Sequence, residues 1–193
     1  MVIICILSAY LDALIFELLC PIYTNMHTPL FYAITRRQYE AFKLLVNSGA
    51  NPNCQFYNID DANAIFWMTS WARISDYNYH EYIKYLIDSG ADVNYMDTTG
   101  WTPLLMTLDC GEPETAELLI KAGAPVNKRN KSRMTGLYLA SRRGLTDIVK
   151  LLIEHGADVN ATIREGRTAI GIAKKNGHTD VAELLIKAGA VVT

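Results

Sequence analysis

Glycine recurs in this chain at a fixed interval, and the sequence around it recurs as well. Gly123, Gly156 and Gly189 lie in LLIKAGAPVN, LLIEHGADVN and LLIKAGAVVT, at a period of 33, and Gly90 lies one period earlier in YLIDSGADVN. The step from Gly49, in LLVNSGANPN, to Gly90 is longer by eight positions. A fixed period of about 20 to 50 residues is typical of repeat proteins, so we expect several copies of one short structural unit.

A helix-capping residue lies 21 positions before the glycine in four of the five units. Each is a threonine that opens an apolar stretch: Thr28 in TPLFYA, Thr102 in TPLLMT, Thr135 in TGLYLA and Thr168 in TAIGIA. In the remaining unit the matching stretch, NAIFWM, begins at Asn63, six positions further from its glycine, Gly90. Threonine and asparagine oxygens accept hydrogen bonds from free amides of a first helical turn, and Pro29 and Pro103 suit that turn. The pattern predicts a first helix after each of these residues.

A second apolar run precedes each glycine and predicts a second helix. The runs are Leu44–Val46, Leu86–Ile87, Leu118–Ile120, Leu151–Ile153 and Leu184–Ile186. The glycine would end this helix in the left-handed conformation, which only glycine adopts at little cost. Turn-forming asparagines follow at a constant offset, at Asn53, Asn94, Asn127 and Asn160.

Helix, turn, helix and loop at a period of 33, with TPL and GADVN motifs, closely resembles the ankyrin repeat family. The resemblance covers residues 24–193. It implies an all-α solenoid of stacked helix–turn–helix units with protruding loop fingers. The histidine that the family places after TPL is replaced here by Phe31, Phe66, Leu105, Tyr138 and Gly171. The implied repeats span residues 24–59, 60–97, 98–130, 131–163 and 164–193.

The N-terminal segment, residues 1–23, is strongly apolar and begins MVIICILSAYLDALIFELLC. It lacks the positive region that opens a signal peptide, and Asp12 and Glu17 would be costly inside a bilayer. Its uninterrupted apolar run is also shorter than the ~20 residues that a span needs. We therefore expect degenerate capping helices over residues 1–23 that cover the first full repeat, with a signal or anchor as the alternative.

Catalytic and metal-binding patterns are missing from the sequence. Cys5, Cys20, Cys54 and Cys110 have no metal-ligand spacing, and no GxSxG, HExxH or phosphate-binding glycine loop occurs. His155 and His178 fall at ordinary framework positions of the resemblance. We expect no enzymatic activity, no cofactor and no metal. Such cysteine usage favours a reduced, cytoplasmic protein, or one in a host cytoplasm if the chain is an exported effector.

Basic residues concentrate in the C-terminal half. Six lie between positions 128 and 143 with no acid among them, at Lys128, Arg129, Lys131, Arg133, Arg142 and Arg143, and Arg164, Arg167, Lys174 and Lys175 extend the set. The acidic residues fall mostly on the predicted second helices. By the resemblance, loop tips and first helices form a concave face, so a protein of net charge −2 would present a basic surface there. Such a surface steers acidic partners, and a merely solvated polar face is the alternative.

Aromatic residues form the second group at variable positions. Trp101 lies at a predicted fingertip and Trp71 at the exposed end of a first helix; such side chains anchor interfaces, although either could instead pack on a neighbouring loop. The second repeat carries six surplus residues, 72–77, and its preceding loop two more. We expect Trp71, Ile74, Tyr77 and Tyr79 to form an aromatic knob beside this insertion.

These patterns predict a non-catalytic protein-interaction module that binds an acidic or mixed surface as an adaptor, inhibitor or effector. The alternative is nucleotide or short nucleic-acid binding on the basic face of the third to fifth repeats, with Trp101 stacking on a base and Lys131 and Arg142 on phosphates. We expect no membrane partner, and self-association remains open. The predicted partner-binding residues are Arg36, Tyr57, Trp71, Ile74, Tyr77, Trp101, Lys131, Arg133, Met134, Arg142, Arg143, Arg164, Arg167 and Lys175.

Overall fold

The structure, a computed structural model, describes residues 28–56, 62–72 and 79–191, and the side chains of Gln55 and Phe56 are not included. The predicted capping helices over residues 1–23, the candidates Tyr57, Ile74 and Tyr77, and residues 73–77 of the insertion lie outside these ranges. The described part contains ten α-helices in five consecutive pairs. They are α1 Pro29–Thr35, α2 Tyr39–Asn47, α3 Ala64–Ala72, α4 His80–Asp88, α5 Pro103–Cys110, α6 Pro113–Lys121, α7 Gly136–Arg143, α8 Thr146–Glu154, α9 Ala169–Lys175 and α10 Thr179–Lys187.

The remaining regular structure is small. Strands β1 Gln55–Phe56 and β2 Ala62–Asn63 pair antiparallel, with Gln55 opposite Asn63. A 3₁₀ turn spans Arg164–Gly166. The protein is therefore an all-α repeat solenoid, as its sequence predicts. None of the described helices is long and apolar enough to cross a membrane.

The first helices begin directly after the threonines and the asparagine that the sequence predicts as N-caps. The hydroxyl oxygens of Thr28, Thr102, Thr135 and Thr168 each accept the amide three residues ahead, at 3.2–3.3 Å. Asn63 does the same for Phe66 at 2.9 Å. Each cap is worth about 1 kcal/mol, so the recurring Thr and Asn set where the first helices begin.

The glycines end the second helices in the predicted manner. Gly123, for example, has a φ of 87°, and the amide of Ala124 returns to the carbonyl of Leu119 at 3.0 Å. Residues other than glycine adopt this left-handed backbone conformation only with strain. The helix therefore stops just before the glycine, and the chain turns into the loop.

Two compact units divide the chain: Met1–Met68 with Glu81–Asp92, and Thr69–His80 with Val93–Thr193. The core of the first unit includes Ile34, Phe42 and Leu86, and the Phe42 ring lies 4.8 Å from that of Tyr82. In the second unit α7 packs between α5 and α9, while α8 contacts both α6 and α10. Its first helices and second helices thus form two layers.

Helix α3 extends into the predicted insertion. It has nine residues where α5 and α7 have eight, and it ends at Ala72, the first of the six surplus residues. Alanine is the best helix former, so the helix continues through it.

Candidate functional site

Three loop fingers belong to the second unit, and each is closed in the same way. The amides of Asp97, Asn130 and Ile163 donate to the carbonyls of Trp101, Met134 and Arg167, at 2.9, 3.2 and 2.9 Å. We name them finger A (97–101), finger B (130–134) and finger C (163–167). Trp101, Met134 and Arg167 therefore occupy equivalent positions, although they differ in chemistry.

Finger B has an arginine where its neighbours have glycine. The equivalent residues Gly100, Arg133 and Gly166 have φ values of 83°, 62° and 68°. An arginine in this left-handed region costs about 1 kcal/mol or more. No hydrogen bond or ion pair of the Arg133 side chain occurs in the described part of the chain, so the finger holds an exposed cation at a strained position.

Fingers A and B are in direct contact. The Lys131 amide donates to the Thr99 carbonyl at 2.9 Å, and a Cβ placed on Gly100 would lie 2.9 Å from the Asn130 Cα. Glycine is therefore required at position 100 by the neighbouring backbone. The amide of Trp101 donates to Asp97 Oδ1 at 2.7 Å, and the residue is half-buried.

A groove of 280 Å³ lies between fingers B and C, beside α7. We name it the arginine groove. Four predicted partner-binding residues line it: Met134, Arg142, Arg164 and Arg167. The other lining residues are Ser132, Tyr138 and Ile163, which the sequence did not single out for binding. Tyr138 and Ile163 are buried, so the groove has an apolar floor beneath arginine walls.

Arg142 and Arg143 are held by intramolecular contacts. Arg142 forms an ion pair with Asp109, and Arg143 donates to the Asp109 carbonyl. The Arg142 side chain is 33% exposed and that of Asp109 only 15%. The Arg142 carbonyl also accepts from Asn176 Nδ2 at 2.8 Å. These two arginines are fixed in place, and the charge of Arg142 is compensated.

The charges of the two arginines of finger C are less compensated than that of Arg142. Arg164 Nη2 donates to the neutral carbonyl of Lys131 at 3.1 Å, which positions the guanidinium without neutralising it. Arg167 lies 3.5 Å from Glu165, with the two side chains 54% and 79% exposed. An exposed pair of this kind contributes about 0–1 kcal/mol, so it can be exchanged for another anion.

The remaining predicted residues lie outside the groove. Lys131 and Arg133 are exposed on finger B, and Lys175 is exposed at the end of α9. Trp71 is 40% exposed near the end of α3. Arg36 belongs to the first unit, where its guanidinium carbon lies 5.3 Å from the centre of the Tyr32 ring.

A second concavity, of 450 Å³, is lined by the predicted residues Arg142 and Arg143. Asp109, Cys110 and Glu112, which the sequence did not single out for binding, also line it. Burial raises the pKa of the Glu112 carboxyl, and the nearby Glu114 charge adds to this, while a hydrogen bond to Thr115 opposes it. Glu112 follows the turn glycine of its repeat, so only its partial burial distinguishes it from an ordinary surface acid.

The described residues include no group of three or more His, Cys, Asp or Glu side chains that could hold a metal ion. Cys54 is a free thiol. Burial raises the pKa of the Cys54 thiol above its usual value, which makes it less reactive at neutral pH.

Paired helices, glycine-terminated second helices and projecting fingers define a helical repeat protein of the interaction type. Comparison with protein families agrees: the family described as Ankyrin repeats (3 copies) matches residues 60–130 and 111–193, and the one described as Ankyrin repeat matches residues 25–56. The chain belongs to the ankyrin repeat family. Such repeats generally mediate protein–protein interaction and are generally non-catalytic. No curated protein matches the chain.

Proposed function

We propose that this chain binds an acidic partner protein through the fingers and first-helix ends of its second unit, as an adaptor, inhibitor or effector. The observation that carries the proposal is the arginine groove, where Arg164 has no anionic partner among the described residues and Arg167 has only an exposed one. Lys131 and Arg133 on finger B extend the positive surface. Interaction is the general role of the family, and the acidic character of the partner is the new element.

The distribution of acids supports this proposal. Glu114 and Glu117 lie on α6, Asp147 and Glu154 on α8, and Asp180 and Glu183 on α10. These second helices therefore hold six acids against three lysines, whereas fingers B and C hold four cations against one acid, Glu165. A surface divided in this way orients an acidic partner toward the fingers and speeds its association.

We also propose a cytoplasmic location, either in the cell that makes the protein or in a host cell. The free thiol of Cys54 supports it, because free thiols persist in reducing compartments.

Charge reversal on finger C tests the proposal. The full chain and the variant Arg164→Glu/Arg167→Glu are used as baits in lysate, and captured proteins are compared by mass spectrometry. Lys150→Glu/Lys187→Glu is the matched control, since it makes the same change in charge on α8 and α10. We expect the finger variant to lose partners that the control retains. Equal losses from both variants, or from neither, would contradict a partner site at the fingers.

Nucleic-acid binding is the second candidate, and it has less support. It requires Arg142 to contact phosphate, and that guanidinium is paired with Asp109. It also requires Trp101 to stack on a base, and Trp101 is half-buried. Titration with short RNA and DNA at two salt concentrations tests it. Binding that weakens steeply with salt would support this candidate, and no binding at low salt would exclude it.

A further inference from the structure

We infer that the arginine groove receives a short acidic segment of the partner, with one apolar side chain on the floor and carboxylates against finger C. The inference rests on the proposed function and makes it more specific, because it names the kind of chain segment that binds. It follows from the size of the groove, its floor and the different states of its three arginines.

The size of the groove limits the occupant. Its volume of 280 Å³ lies just below the roughly 300–1,000 Å³ of pockets that enclose small molecules. One side chain with the adjoining backbone fills such a space, whereas a folded surface would touch only its rim. A short extended segment is therefore the occupant that fits.

The floor selects an apolar side chain. Tyr138 and Ile163 are 3% and 5% exposed, so the surrounding fold holds them rigidly. Met134 is half-buried beside them, and its flexible thioether can adapt to the shape of an incoming group. A rigid floor of one aromatic and one branched side chain, with an adaptable edge, favours one aromatic or branched anchor.

The arginines determine where the acidic residues bind. Among the described residues Arg164 donates to a neutral carbonyl and has no acidic partner, so most of its five N–H donors remain for a carboxylate. Arg167 can exchange its exposed Glu165 partner for an incoming carboxylate at little cost. Arg142 stays paired with Asp109, so its charge is compensated and this side of the groove has no net charge. Carboxylates of the segment should therefore face finger C, and uncharged residues should face α7.

Synthetic peptides test the inference with the full chain. The probe is GEEFEEG labelled with fluorescein, and its binding is followed by fluorescence anisotropy at low salt. Two matched probes each lack one feature: GQQFQQG lacks the carboxylates, and GEEGEEG lacks the apolar anchor. We expect GEEFEEG to bind and each matched probe to bind at least about tenfold more weakly, because contacts of both kinds contribute.

Protein variants then locate the site. Arg164→Ala and Arg167→Ala should each weaken GEEFEEG binding severalfold, with Arg164→Ala the larger effect. Met134→Ala should weaken GEEFEEG and leave GEEGEEG unchanged. Lys187→Ala, which removes an exposed cation from α10, is the matched control and should leave binding within about twofold. All four positions are half-buried or exposed, so circular dichroism should show intact folding.

Three outcomes would overturn the inference: no binding of GEEFEEG, equal binding of GQQFQQG, or equal losses for Arg164→Ala and Lys187→Ala. The capture experiment on finger C separates this failure from failure of the proposed function. If Arg164→Glu/Arg167→Glu loses partners but GEEFEEG does not bind in the groove, the proposed function holds and this inference is wrong. Peptide binding in the groove with unchanged partners would contradict the proposed function instead.

Discussion

Asn127 and Gly156 join two successive repeats through a side chain and a carbonyl. Asn127 Nδ2 donates to the Gly156 carbonyl at 2.8 Å, and Asn127 Oδ1 accepts the Asp158 amide at 2.9 Å. The same pair of bonds recurs at Asn160, which binds the Gly189 carbonyl and the Val191 amide at 3.2 and 2.8 Å. The asparagine after each of these second helices is thus a clip to the next repeat as well as a turn residue.

Replacing Asn127 with alanine should destabilise the second unit. The change removes both bonds and leaves a carbonyl and an amide without their partner, so we expect a loss of about 1–2 kcal/mol. Urea unfolding followed by circular dichroism measures it. Lys128→Ala, a neighbouring exposed change, is the control and should shift the midpoint little. If Asn127→Ala and Lys128→Ala unfold at the same urea concentration, the clip contributes nothing to stability.

Replacing Arg133 with glycine should stabilise the fold and weaken partner binding. Glycine relieves the left-handed strain at φ 62°, although its greater freedom in the unfolded chain offsets part of the gain, and about 0.5–1 kcal/mol should remain. Thermal unfolding and the capture experiment measure the two effects. Arg133→Ala separates them, because it removes the cation and keeps the strain. A glycine variant no more stable than the alanine variant would mean that the finger is not strained.

Replacing Ser141 with alanine should raise stability. Ser141 is fully buried, and its hydroxyl oxygen has no hydrogen-bond partner among the described residues. An unpaired buried hydroxyl costs about 1–3 kcal/mol, so its removal should return about 1 kcal/mol. Urea unfolding measures the change, with Ser132→Ala on exposed finger B as the control. A loss of stability in Ser141→Ala would show that the hydroxyl has a stabilising contact.

Replacing Glu112 with glutamine should raise stability at neutral pH and have little effect in acid. Burial raises the pKa of this carboxyl above 4.5, so the folded state disfavours the charged form. The protonated carboxyl therefore contributes to stability below its ordinary pKa, and this contribution is lost as the pH rises through the raised pKa of the folded state. Unfolding midpoints across pH 3–8 measure it, with exposed Glu183→Gln as the control. A gain for Glu112→Gln that is constant across this range would contradict the assigned cause.

The period made much of the fold predictable. Capping threonines, helix-ending glycines and apolar runs act over a few neighbouring residues, so the sequence shows them directly. The extension of α3 through Ala72 was not predicted, because the chain there departs from the period and alanine can continue a helix or begin a loop. The face that has the basic residues was also predictable, since each repeat fixes which positions are exposed.

The pairing of charges on that face was not predicted, because each arginine was counted singly. Asp109 and Arg142 lie one period apart, as do Lys131 and Arg164, and positions one period apart are neighbours in a stack. Comparing charges at that separation would have revealed that Arg142 is neutralised and Arg164 is not. The apolar floor required the structure itself, since Tyr138 and Ile163 look like ordinary framework residues in the sequence.

The asparagine clip also affects how such a chain can change in length. Asn127 and Asn160 bind main-chain atoms of the following repeat, so these bonds do not depend on the side chains of that repeat. Unequal recombination that deletes or duplicates one whole period would therefore form the same bonds at the new junction. Side-chain contacts between repeats, such as the Asp109–Arg142 pair, would instead depend on the new neighbour.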